Sequence, residues 1–162
     1  MSELTDVMVY LLKNYPYKSE LSNARLTKLV YLADWRFALK NKRQITGIQW
    51  KFNNFGPFVW DIYNTAQSNS SVFAVEDIQN YYGAKKTLIK LSNENHPVHL
   101  SNDEKLTLDY VISSTKILTW NRFIQLVYST FPILVSEKDS SLDLIALANL
   151  KESIKSIAKS EQ

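Results

Sequence analysis

The stretch from Asn23 to Tyr63 constrains this chain more than any other, because it joins a long apolar helical pattern to a sharp turn through an alternating segment. Leu26, Leu29, Val30, Ala33 and Phe37 fall at the i, i+3, i+4 spacing of one helix face, and Leu32, Trp35 and Leu39 widen that face into a broad stripe. Such a helix belongs near the centre of a fold. Asn23, or Ser22 before it, offers a side-chain oxygen to the free amides of a first turn, while Lys40, Lys42 and Arg43 gather where the helix dipole is negative. The pattern predicts a helix over 23–41, roughly 28 Å long at a rise of about 1.5 Å per residue. Ile48, Trp50 and Phe52 then alternate with Gln49, Lys51 and Asn53, the period of two expected of a strand with one buried face. Asn53-Asn54-Phe55-Gly56-Pro57 breaks the alternation. Glycine accepts backbone angles closed to other residues, and a proline at the first position of a helix gives up no hydrogen bond. The expectation is a tight turn ending at Gly56 and a short helix from Pro57 that carries Phe58, Trp60, Ile62 and Tyr63.

The flanking segments read as further helices with one pair of strands. Leu4, Val7, Met8, Leu11 and Leu12 make a helical stripe that Tyr15-Pro16 stops, so a first helix is expected over 4–13. A polar link, Lys18 to Ser22, leads into the central helix. Gln67 to Ser71 is a polar loop, and Val72 to Tyr82 with Thr87 to Leu91 reads as a strand pair, Glu76 to Tyr82 being open to a helical turn instead. With the strand at 48–52 this pair would form one small antiparallel sheet. Ser101 followed by Glu104 is a capping box for a helix to about Thr115, and Thr119 can cap another from Trp120 to Tyr128, ended before Pro132. Ser140 or Ser141 is expected to cap a last helix through Leu142, Ile145 and Ala148, after which 151–162 becomes a polar helix end or tail. The whole predicts an α+β, mostly α-helical fold: a single compact domain over 1–150 around the central helix.

Composition narrows the function. A chain of 162 residues can bury about 70% of its unfolded surface, enough for one core without staples. There is no cysteine, so disulfides and thiolate metal sites are excluded. No N-terminal run has the apolar pattern of a signal peptide, which makes the cytoplasm the expected location and membrane insertion unexpected. Nineteen basic residues against sixteen acidic ones give a net charge of +3, too small an excess to indicate nucleic-acid binding. His96 and His99 lie in His-Pro-Val-His, where the proline favours an extended loop over a helical metal motif. Gly47, Gly56 and Gly83 are too dispersed for a phosphate loop, and no serine sits in a Gly-x-Ser-x-Gly elbow. The sequence thus assigns no catalytic residue, no cofactor and no metal ligand, and a non-enzymatic role is expected.

What remains distinctive is aromatic. Tyr31, Trp35, Trp50, Phe52, Phe55, Phe58, Trp60 and Tyr63 crowd one stretch. Core packing accounts for Phe37, Phe52 and Phe58, whereas Trp50 and Trp60 flank the turn and are placed to anchor an interface, as large flat rings do at low entropic cost. Lys28 projects from the apolar helix, either to snorkel into water or to hold the turn or a partner.

Leu26, Lys28, Leu29, Tyr31 and Ala33, followed by the aromatic segment, Gly56-Pro57 and Tyr63, resemble the Panacea domain, also called the SocA-like antitoxin domain. Leu118-Thr119-Trp120 through Tyr128 and Pro132 falls where that family has its second motif, so the resemblance spans about residues 5 to 148. It implies an antitoxin of a bacterial or phage toxin–antitoxin module, which binds and neutralises a protein toxin encoded nearby. One branch of the family instead delivers its partner to a protease. On that reading a groove between the central helix and the turn presents Lys28, Tyr31, Trp50, Phe55, Gly56, Pro57 and Trp60 to the toxin. The resemblance fixes neither the toxin nor an oligomeric state. The alternatives are a nucleic-acid-binding regulator, drawing on Lys40, Lys42, Arg43 and Lys85-Lys86, and an enzyme of unfamiliar class.

Overall fold

The apolar stripe of the long central segment becomes a helix, α2 (Asn23–Asn41), buried on nearly every side. Its computed structural model describes residues 2–79 and 82–160 of the chain. Of the two caps the sequence offered, Ser22 is used: its hydroxyl accepts from the Arg25 amide at 3.1 Å. The far end closes on Lys42 in the left-handed region at φ 57°, whose amide returns to the Ala38 carbonyl.

Around this strut pack α1 (Leu4–Asn14), α3 (Asp61–Ser68), α4 (Asn102–Thr115), α5 (Trp120–Tyr128), α6 (Phe131–Val135) and α7 (Leu144–Ser160). Val7, Leu11, Leu26, Leu29, Val30, Phe37, Leu108 and Phe123 are among the side chains they bury together. The capping box forms as its chemistry requires, with the Glu104 amide donating to the Ser101 hydroxyl and the Ser101 amide to the Glu104 carboxylate. Thr119 caps α5 more simply, its hydroxyl accepting from the Arg122 amide at 3.3 Å. The result is a compact, mostly helical α+β fold, and among the described residues no helix is long and apolar enough to cross a membrane.

Three expectations are corrected. First, Pro57 does not open a helix but lies in β2 (Gly56–Phe58), paired antiparallel with β1 (Trp50–Asn53) through Phe52↔Pro57 and Asn53↔Gly56. Gly56 at φ 90° turns the chain back on itself, and a proline that cannot donate is tolerated because β2 is an edge strand in the order β2-β1-β5. The helix starts four residues later, at Asp61. Second, the strands do not join into one sheet. β3 (Phe73–Gln79) and β4 (Lys85–Leu91) form a separate two-stranded ribbon, strand rather than helical turn through Gln79. The expected strand positions at 80–81 lie outside the described residues.

Third, Ser141 is not a helix cap. It belongs to β5 (Ser141–Leu142), which pairs with Trp50 and Lys51 and completes the three-stranded sheet. Asp143 does the capping of α7, its carboxylate accepting from the Ala146 amide at 3.0 Å. The segment beyond Lys151, expected as a polar helix end or tail, is within the described residues the end of α7, which runs to Ser160 and is fastened near its middle by a Glu152–Lys42 ion pair at 2.5 Å. Pro132, expected only to end α5, also sits in the first turn of the short α6, where its missing amide proton costs nothing.

Candidate functional site

α2 carries three charged side chains into the interior, Arg25, Lys28 and Asp34, and each organises its surroundings differently. Asp34 is wholly buried and collects five donors. The Ile45 and Thr46 amides reach one carboxylate oxygen at 3.0 Å each, and the Thr46 hydroxyl (2.6 Å), the Trp50 indole N–H (2.9 Å) and the Gln44 amide (3.3 Å) reach the other. One side chain thereby shapes the loop from Gln44 to Ile48 and aims Trp50 into the core. Burial pushes the Asp34 carboxyl up to about 6, against the pull of the hydrogen bonds from Thr46, Trp50 and Ile45.

Trp50 is consequently not available to a partner. It is 1% exposed, its ring edge-on to Tyr31 at 5.5 Å, and it serves as the floor of the sheet. Tyr31 is buried too, its hydroxyl within 2.8 Å of the Thr130 hydroxyl. Gly56 and Pro57 are both buried, and the Tyr128 ring stands 3.4 Å from where a Cβ on Gly56 would lie. Phe52 meets the same Tyr128 ring edge-on at 6.4 Å, and Trp35 stacks on Phe131 at 6.4 Å. The two stretches singled out in the sequence therefore meet in space: residues 128–131 clamp the glycine-proline turn onto α2.

Of the predicted contact residues, two reach the surface. Phe55 at the hairpin tip is 74% exposed and Trp60, just before α3, is 60% exposed. Trp60 is held upright by edge-on contacts with Phe58 (5.1 Å) and Tyr63 (5.7 Å). It stands as a ridge between two clefts. The smaller, of about 530 Å³, runs over the β1–β2 face past Gln49, Lys51 and Phe58. The larger, of about 930 Å³, is bounded by the first turns of α2 and α5, Trp60 and Tyr63, and the residues of the β3–β4 ribbon nearest its hairpin turn.

Lys28 lies beneath this ridge. It is 2% exposed, its ammonium 5.9 Å above the Phe58 ring, with neither a hydrogen bond nor an ion pair among the described residues. Burial pulls its pKa down to about 8. Arg25 contrasts with it: the guanidinium donates to Glu20 at 2.6 Å and to the Tyr15 hydroxyl at 3.2 Å, and lies over the rings of Trp120 and Phe123. The basic run after α2 is largely engaged within the molecule, Lys42 with Glu152 and Arg43 with Glu104.

Sequence periodicity gave no sign of the Asp34 cluster or of the larger cleft. Asp34 sits on a helix read as an apolar stripe, and the cleft is assembled from segments more than ninety positions apart, such as Asn23 and Trp120. The only available signal for Asp34 was an acidic residue flanked by Ala33 and Trp35.

These features define a mostly helical α+β protein whose surface is marked by an aromatic ridge between two clefts, built on a clamped glycine-proline turn. The chain belongs to the antitoxin SocA-like, Panacea domain family, whose model matches residues 26–131, from the first apolar turn of α2 to the start of α6. No curated protein and no solved structure matches it.

Proposed function

We propose that this protein is an antitoxin that neutralises a protein toxin by direct contact, with Trp60 as a central anchor and Phe55 as a flanking one. Membership of the SocA-like antitoxin family carries the reading. The roles of the candidate residues then divide by burial. Trp60 and Phe55 are exposed apolar surface on a rigid frame, the setting in which an aromatic anchor contributes most to an interface. Trp50, Tyr31, Gly56 and Pro57 form the frame, and Lys28 supports the Phe58–Trp60 pair from below. Neutralisation proceeds by occlusion: the ridge seats against the toxin and blocks the surface through which it acts in the cytoplasm. Membership of the domain is proposed to extend over 1–150, with the outer half of α7 as an appendage.

The test is co-expression with the toxic protein encoded by the neighbouring gene, comparing wild type with Trp60→Ala and Trp50→Ala. Truncating an interface tryptophan costs about 2–4 kcal/mol, roughly 30- to 1000-fold in affinity. Trp60→Ala is therefore expected to stay folded by circular dichroism and lose protection. Trp50→Ala is expected to lose both, since a large-to-small change in a core costs about 3–5 kcal/mol. A folded Trp60→Ala protein that protects as well as wild type refutes the ridge as the contact. A wild-type protein that neither binds the neighbouring product nor protects against it refutes the antitoxin reading.

A further inference from the structure

We infer that the larger cleft receives an acidic peptide segment of the partner that also carries apolar side chains. The inference rests on the antitoxin reading and adds to it where the toxin is gripped and by what chemistry. Two helices, α2 and α5, begin at this cleft, with Asn23 and Ala24 from one and Trp120 from the other on its wall. Helix starts present unpaired amides and the positive end of the dipole. Facing them across the opening are Lys85 and Lys86 of β4.

The charge there is not cancelled internally. Of the carboxylates on the wall, Glu20 is held by Arg25 at 2.6 Å, while Asp77 keeps its charge as it accepts from the Thr87 hydroxyl at 2.9 Å, so the two lysines outweigh it. Neither Lys85 nor Lys86 makes an ion pair among the described residues, and Lys86 donates only to the Ser19 carbonyl, at 3.1 Å. Lys90, further along the same ribbon, does pair with a carboxylate, Glu76 at 2.6 Å. A wall with a positive excess complements a negative ligand.

The opposite wall decides what kind. Trp60 is mostly exposed and Trp120 nearly half exposed, so an incoming segment would cover ring surface as well as meet charge. A duplex or extended nucleic acid needs a stripe of cations along its phosphates, and two lysines at one end of a cleft do not supply it. A free inorganic anion would leave the tryptophans uncovered. A strand or turn with carboxylates toward β4 and apolar side chains toward Trp60 and Trp120 satisfies both walls. The ribbon is fixed firmly enough to act as a wall, since the Ile89 amide donates to the Leu21 carbonyl at 3.1 Å, just ahead of α2.

The experiment uses the full chain and three probes: a labelled twelve-residue peptide alternating Glu with Leu and Phe, the same peptide with Lys for Glu, and a single-stranded oligonucleotide. Fluorescence anisotropy is read with and without inorganic phosphate. Wild type is expected to bind the acidic peptide at least tenfold more tightly than the basic one. The Lys85→Glu, Lys86→Glu double variant, whose folding circular dichroism verifies, is expected to reverse that order, and Trp120→Ala to weaken acidic-peptide binding. Equal binding of both peptides, no effect of the lysine reversal, preferential salt-steep binding of the oligonucleotide, or loss of peptide to millimolar phosphate alone each overturns the inference. Co-expression with the neighbouring toxin separates this from the antitoxin reading. If wild type protects and the double variant protects equally, the cleft is wrong and the antitoxin reading stands; if wild type fails to protect, the reading beneath it fails.

Discussion

Replacing Asp34 with alanine should be the most damaging single change in the interior that removes no large side chain. The carboxylate holds two backbone amides, the Thr46 hydroxyl, the Trp50 indole and the Gln44 amide. Thr46 and Gln44 can find other acceptors by rotating, but the Ile45 and Thr46 amides and the indole N–H are fixed and buried. A buried donor left without an acceptor costs about 1–3 kcal/mol, so three of them amount to roughly 3–6 kcal/mol after partial relaxation. That is a large part of the about 5–15 kcal/mol by which a domain is stable. Asp34→Asn should cost less, about 1–3 kcal/mol, because its remaining oxygen can still serve the two amides while its amino group faces the indole donor. The pH dependence has a definite sign. The folded carboxyl titrates at about 6, above the value of about 3.9 in an unfolded chain, so folding takes up a proton between the two. The contribution of Asp34 to stability therefore falls as pH rises from about 4 to about 6, by about 3 kcal/mol, and is level above that. Urea unfolding followed by tryptophan fluorescence, repeated from pH 4 to 8, measures both. A loss below about 1 kcal/mol for Asp34→Ala, or an Asn variant whose stability keeps the wild-type slope between pH 4 and 6, would show that the cluster does not hold the loop.

Lys28→Met should stabilise the free protein by about 1–3 kcal/mol at pH 7, because a buried charge without a partner is replaced by an apolar group of similar length. The folded amine titrates at about 8, below its unfolded value of about 10.4, so wild-type stability should rise as pH climbs between the two and the advantage of the Met variant should shrink; a Met variant less stable at pH 7 refutes this. Gly56→Val should cost about 1–3 kcal/mol in a thermal melt, since φ 90° is closed to a branched side chain and the Tyr128 ring already lies 3.4 Å from the Cβ position; unchanged melting would remove the turn from the account. Replacing Lys40, Lys42 and Arg43 together with alanine should leave protection against the toxin within severalfold of wild type, because Lys42 and Arg43 pair internally. Loss of tight, salt-sensitive DNA or RNA binding in that variant would favour a nucleic-acid role instead.

Local chemistry alone determined a good part of this protein. The apolar spacing from Leu26 to Phe37 set α2 to its full extent, Ser101 with Glu104 set the start of α4, Thr119 set that of α5, and the family motifs led to the antitoxin reading. The helix and its caps depend on residues within a few positions of one another, where helical periodicity and capping operate. The turn at Gly56 was legible for the same reason, but its sequel was not. Gly56-Pro57 is equally compatible with a helix start and with an edge strand, and pairing with Phe52 under the Tyr128 ring decided for the strand. Ser141 was likewise claimed by Lys51 across the sheet, leaving the cap to Asp143. The candidate site shows the division most clearly. Trp50 and Trp60 look alike in the sequence, both next to the turn and both in aromatic company. Only the carboxylate of Asp34, brought to Trp50 by the folding of the 44–48 loop, draws one indole inward at 2.9 Å while the other stays in solvent. A buried N–H must find an acceptor, and which acceptor stands nearby is a property of the assembled chain.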